Sequence, residues 1–288
     1  MSSPKLNDYF VQGSMWKLFR GANPYTFVET YTLLRKVFGY DLFYVNYGYW
    51  KDGIETVEPG RELTYFIGDA LGLKEGDRIL EAGSGLGQAS IDSCTKYNLE
   101  QIVGLNICNE QANFANALTK SYGLENKIEH RICDACTEID TFEAGSFDHA
   151  FAQECIGHFP DPLHYLTGVR KMLPSGGRMA ITIVSSPTPP SKSLAYVENL
   201  FFGTVPKDGP HWENIFKKAG FNIVESKDIT DMVFEPMFAA IRHRLKNDPQ
   251  SMNFPWMTNL GLKTLLNQTE KGIRTKTMGY HFIVGEVP

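Results

Sequence analysis

The chain has 288 residues, 42% of them hydrophobic and 12% aromatic, enough to build one large core. A formal net charge of −5, with no Lys/Arg run interleaved with aromatics, argues against nucleic acid as a partner. No segment reaches the roughly 18 consecutive apolar residues of a membrane span. The start Met-Ser-Ser-Pro-Lys-Leu lacks a charged end followed by an apolar run, so a cytoplasmic protein is expected. Cysteines at 94, 108, 133, 136 and 155 form an odd, scattered set that suits a reducing compartment. The Cys-x-x-Cys of Cys133 and Cys136 has no second pair and no His at finger spacing, so no metal site is expected.

Residues 1–60 read as a helical and aromatic cap, with a helical run near Tyr25 to Phe38 and then the cluster Phe43-Tyr44-Val45-Asn46-Tyr47-Gly48-Tyr49-Trp50. From 61 to 184, helix-length and strand-length segments alternate, as a parallel sheet with crossover helices requires. The expected order is helix Glu62–Leu71, strand Arg78–Ala82, a glycine loop opening a helix to Tyr97, strand Gln101–Leu105 and helix Asn109–Tyr122. Strand Ile128–Cys133, strand Phe147–Ala152, helix Pro162–Met172 and strand Arg178–Val184 follow. In the remainder, 185–288, Ser185 to Ser193 is rich in proline and serine and reads as a linker or lid hinge. Helix His211–Ala219 and strand Phe221–Ser226 resume the core (211–228). A helical insertion (229–276) carrying Met232, Phe234, Met237, Phe238, Phe254, Trp256 and Met257 comes next, and Gly279–Val284 closes the sheet (277–287). The expected fold is α/β: a Rossmann-like, doubly wound, mostly parallel sheet, with the N-terminal segment and the insertion as a lid over the carboxyl edge where such sheets bind ligands.

The most informative stretch is Glu81-Ala82-Gly83-Ser84-Gly85-Leu86-Gly87, directly after an apolar strand. Glycine at alternate positions lets the backbone turn tightly and leaves its N–H groups uncovered. The spacing is not the Gly-x-Gly-x-x-Gly of dinucleotide sites, because the third glycine falls one residue early. A carboxylate at Glu81 would repel a pyrophosphate but attract an α-ammonium group, which points to S-adenosylmethionine. Asn106 ends the second strand with one acceptor carbonyl and no charge, which weakens a nicotinamide-cofactor reading.

These segments resemble the class I S-adenosylmethionine-dependent methyltransferases, within them the small-molecule enzymes of the sterol, tocopherol and rebeccamycin-type sugar O-methyltransferase kind. The resemblance rests on Glu81 to Gly87, Val103-Gly-Leu-Asn-Ile107 with Asn109-Glu-Gln111, and Cys133-Asp-Ala135. It extends to Phe147-Asp148 leading to Glu154-Cys-Ile-Gly-His158, to Leu173-Pro-Ser-Gly-Gly177 and to the upstream Tyr47-Gly-Tyr-Trp50. It implies a cofactor site formed by Tyr47, Tyr49, Glu81, Gly83, Ser84, Gly85, Gly87, Asn106, Ile107, Gln111, Asp134, Ala135 and Gln153. Asn106 would stand where an acidic residue usually accepts from the ribose hydroxyls. Asp134 would accept from the adenine amino group or simply cap the next segment. Tyr47 and Tyr49 would either lay an aromatic face near the sulfonium or serve as core.

The catalytic residues implied are His158, as a base for a hydroxyl acceptor or as a backbone-bonded histidine, and Glu154. Rebeccamycin-type enzymes carry a double His here and an acid on the fifth strand; this chain has Gly157-His158 and Thr182-Ile183-Val184. The activity implied is methyl transfer to a hydroxyl of a mostly apolar small molecule, in natural-product biosynthesis. The alternatives are C-methylation of an isoprenoid or sterol-like substrate, with Glu154 stabilising a carbocation or accepting its proton, and a non-catalytic nucleotide-binding protein. No metal and no membrane span are expected, and a homo-oligomer is left open.

Overall fold

A computed structural model describes residues 3–9, 28–188, 206–247 and 266–288. Tyr25, residues 189–193 of the Pro/Ser stretch, and Phe254, Trp256 and Met257 of the insertion lie outside the described residues. In chain order the elements are α1 (Val28–Phe38), α2 (Pro59–Leu71), β1 (Arg78–Ala82), α3 (Gln88–Tyr97), β2 (Gln101–Asn106), α4 (Asn109–Ser121), β3 (Ile128–Ile132) and the short α5 (Ala135–Glu138). Then come β4 (His149–Gln153), α6 (Pro162–Met172), β5 (Arg178–Ser185), α7 (Gly209–Lys218), β6 (Asn222–Asp228), α8 (Thr230–Asn247) and β7 (Gly279–Glu286). Residues 266–274 are also helical.

The strands form one sheet in the order β3-β2-β1-β4-β5-β7-β6. The first five pair in parallel, and β7 runs antiparallel between β5 and β6. Central strands are covered on both faces and therefore read as continuous apolar runs: Leu80, Ala82, Ala150, Phe151 and Ala152 are all buried. The edge strand β6 carries Glu225, Lys227 and Asp228, charges that blunt an exposed edge. Successive residues face opposite sides. Ile79, Ile102, Phe151 and Phe282 pack on one face with α2 and α4, while Leu80, Val103, Ile181 and Ile283 pack on the other with α6 and α7. Leu80 and Leu166 are fully buried, so cutting either to alanine should cost about 2–5 kcal/mol.

Two of the differences from the expected boundaries come from the way helices start. Pro59 at the first turn starts α2 earlier than Glu62. Asp208 accepts from His211 N–H at 2.9 Å and starts α7 at Gly209. β4 begins at His149, not Phe147: the Asp148 carboxylate accepts from Arg78 N–H at 2.8 Å, and Phe147 packs edge-on to Phe142.

The cluster Phe43 to Trp50 forms neither helix nor strand. Its backbone is held from outside: Tyr49 N–H donates to Pro59 O and Trp50 N–H to Met232 O, each at 2.8 Å. Tyr44 OH donates to Asp92 on α3, which also takes Arg61 Nε at 3.0 Å and Gln88 Nε2 at 3.2 Å. Tyr47 meets Phe234 of α8 edge-on, with ring centroids 5.2 Å apart. The N-terminal segment and the start of the insertion therefore touch each other. Among the described residues, no helix is long and apolar enough to cross a membrane.

Candidate active site

The glycine loop follows β1 at the carboxyl edge. Gly83, Gly85 and Gly87 all adopt left-handed backbone, with φ of 65°, 54° and 84°, which a residue with a Cβ adopts only at a cost. The three serve different neighbours. A Cβ on Gly83 would lie 2.5 Å from Cys155 Cβ, and one on Gly87 would lie 2.8 Å from Ala115 Cβ. A Cβ on Gly85 would meet only Val45 Cγ2 at 3.1 Å and Gly83 O at 3.9 Å, so the middle glycine faces the open side, with the N-terminal segment beside it.

Several residues expected to touch a ligand hold the loop from behind. Asn106 donates from Nδ2 to Gly85 O at 3.0 Å and to Gln111 Oε1 at 2.9 Å, and its Oδ1 accepts from Cys108 N–H at 2.9 Å. Gln111 in turn donates to Tyr31 OH. Glu81 is buried, and its Oε2 takes a hydrogen bond from Ser90 of α3. Desolvation raises its pKa to about 7, with the Ser90 bond opposing the shift. Ser84 is buried against His130.

The outer side of the site is apolar with one acid. Ile107, just after β2, and Ile132, the last residue of β3, are 77% and 52% exposed, and Asn106 pairs with Ile132 where the two strands end. Between them and α5, Asp134 caps the helix by accepting from Cys136 N–H at 2.9 Å through Oδ1, leaving Oδ2 without a hydrogen bond among the described residues. Ala135 is buried behind it. An open apolar surface with a spare carboxylate oxygen, next to a left-handed glycine loop, fits the adenosine and methionine parts of S-adenosylmethionine.

At the end of β4, Gln153 is fully engaged: its Oε1 accepts from Asn46 Nδ2 at 2.9 Å and its Nε2 donates to Thr64 Oγ1 at 3.1 Å. Glu154 follows in left-handed backbone, φ 56°, a conformation that costs energy in a non-glycine residue and collects at functional sites. Its Oε1 accepts from Tyr47 N–H at 2.8 Å and from Tyr280 OH at 2.6 Å. Desolvation outweighs both bonds and raises its pKa to about 7. His158 ends the 3-10 turn Ile156–His158 as an exposed residue without a side-chain hydrogen bond to any described residue, and partial desolvation of its imidazole lowers its pKa. Tyr49 stacks on Phe66 with ring centroids 4.7 Å apart.

Cys133 and Cys136 do not form a pair: their thiols donate to Arg131 O and Asp161 O, and both pKa values are raised by burial. All five cysteines are free. Among the described residues no group of three or more His, Cys, Asp or Glu could hold a metal ion. The sequence reading missed Tyr280 and His130. His130 had a visible signal, a polar residue at an inward position of the alternating strand Ile128–Ile132, whereas nothing local marks Tyr280.

The sheet order with its reversed β7, the glycine loop at the carboxyl edge and the polar cluster after β4 define a class I S-adenosylmethionine-dependent methyltransferase. Residues 46–251 match the mycolic acid cyclopropane synthetase family, and the chain belongs to it. It is 29% identical over 194 residues to the O-methyltransferase rstn1 of Aspergillus nomiae, covering 65% of this chain and 84% of that protein. Its fold is similar to phosphoethanolamine N-methyltransferase 2 of Haemonchus contortus in complex with S-adenosyl-L-methionine, with TM-score 0.76 and 21% identity, over 90% of this chain and 57% of that one. The chain thus spans little more than half of that structure. It is also similar to geranyl diphosphate C-methyltransferase from Streptomyces coelicolor, with TM-score 0.68 and 16% identity, over 93% of this chain and 99% of that one.

Proposed function

We propose that this chain methylates a hydroxyl oxygen of a mostly apolar small molecule, with His158 as the base. The observation that carries the reading is the His158 imidazole: it is exposed in the turn after β4, engaged by no described side chain, and biased by desolvation toward its neutral form. Cys155 of the same turn packs on Gly83, so the turn adjoins the cofactor loop. Bound S-adenosylmethionine supplies an electrophilic methyl group on a sulfonium. The protein must then hold, align and dehydrate the partners and take up one proton. The loop Gly83–Gly87, Ile107, Asp134 and Ala135 hold the cofactor, while Asn106, backed by Gln111, fixes the loop from behind, Glu81 ties the end of β1 to Ser90 of α3, and Gln153 ties Asn46 to Thr64. Tyr47, packed with Phe38 and Phe234, roofs the site and excludes water, and the described parts of the cap and the insertion, 28–60 and 229–247, act as the lid. A neutral nitrogen of His158 accepts the hydroxyl proton. The name of the Aspergillus nomiae relative supports oxygen as the acceptor atom.

One observation favours a second reading, C-methylation. The Glu154 carboxylate is half-buried, its pKa raised to about 7 by desolvation, and held by Tyr280 and Tyr47, as a base for a carbon-bound proton would be. Methyl-13C-labelled S-adenosylmethionine separates the two. Across a panel of hydroxylated apolar metabolites, mass spectrometry should detect the added methyl and NMR should give the chemical shift of a methyl on oxygen. A methyl on carbon would overturn the O-methylation reading and establish the second.

A further inference from the structure

We propose that His130 is a positioning residue for the cofactor loop, holding Ser84 in place through a buried imidazole–hydroxyl hydrogen bond. The proposal rests on the reading that Gly83 to Gly87 carries the cofactor. Three left-handed glycines make a loop with much backbone freedom, so its shape depends on what anchors it. Ser84 is the anchored residue: its N–H donates to Leu105 O at 3.1 Å, its carbonyl accepts from Gly87 N–H at 2.9 Å, and its Oγ lies 3.0 Å from His130 Nδ1.

His130 is itself rigidly held. Asn116 of α4 brackets its backbone, donating to His130 O at 2.8 Å and accepting from His130 N–H at 3.0 Å. Thr119 Oγ1 lies 3.3 Å from Nε2, so both ring nitrogens have partners. The ring is buried and neutral at physiological pH, its pKa lowered to about 4 by desolvation. Two glycines make room for it. A Cβ on Gly104 would lie 2.6 Å from Nδ1, and one on Gly87 would lie 3.0 Å from Nε2. The third glycine of the motif is therefore required by this histidine and by Ala115, and the imidazole links β3 to the loop after β1 across β2.

The test is the affinity for S-adenosylhomocysteine and S-adenosylmethionine by calorimetry, with steady-state kinetics beside it. His130→Gln keeps a group near Nε2 and Thr119 but loses Ser84; His130→Asn keeps a group near Nδ1 and Ser84 but loses Thr119. His130→Gln should weaken both ligands about tenfold and raise KM for the cofactor while kcat at saturation changes little, and His130→Asn should recover most of that affinity. Ser84→Ala, which adds no bulk, should weaken binding as His130→Gln does, and the double variant should be no worse than either. A residue that only fills the core would lower Tm in both His130 variants and leave affinity unchanged. Affinity within about twofold of wild type in both His130→Gln and Ser84→Ala overturns the proposal. Wild-type protein that binds neither ligand would instead overturn the cofactor reading.

Discussion

Tyr280 and Glu154, 126 positions apart in sequence, meet hydroxyl to carboxylate at 2.6 Å. The contact ties the antiparallel strand β7 to the residue that ends β4, and the same carboxylate oxygen takes the Tyr47 amide at 2.8 Å. One acid thus joins the N-terminal cap, the centre of the sheet and its last strand. Burial dominates over both hydrogen bonds and raises its pKa to about 7.

That shift gives a stability prediction with a definite sign. The folded protein holds the Glu154 proton more tightly than the unfolded chain, whose value is near 4.5. The contribution is fully present below that value and is lost as pH rises through about 7, up to about 3 kcal/mol. Glu154→Gln removes the titration but keeps an acceptor for Tyr280. Its Tm relative to wild type should therefore improve between about pH 5 and about pH 8. A Tm difference that stays constant over this range would mean that Glu154 does not titrate as described.

Gly85 is the loop glycine whose missing Cβ faces the open side, near Val45. Gly85→Ala should cost stability twice over, read as a lower Tm: through its left-handed backbone, about 1–2 kcal/mol, and through the 3.1 Å approach to Val45. Adding Val45→Ala should return the second part but not the first. Gly85→Leu should abolish binding. Calorimetry that finds Gly85→Leu binding normally would remove the cofactor from this loop.

The cap is strapped to the core through Asp92, which receives Tyr44, Arg61 and Gln88. Tyr44→Phe removes one of three hydrogen bonds and should cost about 1 kcal/mol, a Tm loss of about 2 °C. Asp92→Ala should cost more, about 3 kcal/mol, because it strands the buried Tyr44 hydroxyl and Gln88 amide together. Equal losses in the two variants would show that Asp92 is not the hub. Differential scanning fluorimetry is sufficient to rank them.

How far the sequence could be read depends on the distance over which each feature is encoded. Central strands such as Arg78–Ala82 were legible to the residue, because burial on both faces demands an unbroken apolar run. The glycine loop was legible because left-handed backbone is written in glycine itself. What was not legible was which partner each glycine serves: Gly83 yields to Cys155 and Gly87 to His130 and Ala115, contacts made only when distant segments fold together. Asn106 was placed correctly at the end of the second strand, yet its amide is committed to Gly85 and Gln111, a commitment no local pattern records. Tyr280 reads as one more apolar strand residue until β7 pairs in reverse with β5, Val184 opposite Tyr280, and brings its hydroxyl to the acid.

The last prediction concerns His158 as the base. An alcohol is a poor nucleophile until its proton leaves, and the proposed function assigns that proton to the His158 imidazole. Desolvation lowers the His158 pKa below 6.5, so the neutral form predominates at pH 7 and the acid limb of the rate profile falls below that value. His158→Ala should lower kcat about a hundred- to ten-thousand-fold while the affinity for S-adenosylmethionine changes little. The wild-type kcat should rise with pH and level off near neutrality, and that rise should vanish from the residual activity of the variant. Turnover close to wild type in His158→Ala, combined with collapse of activity in Glu154→Gln, would transfer the proton acceptor to Glu154 and with it the reaction from oxygen to carbon.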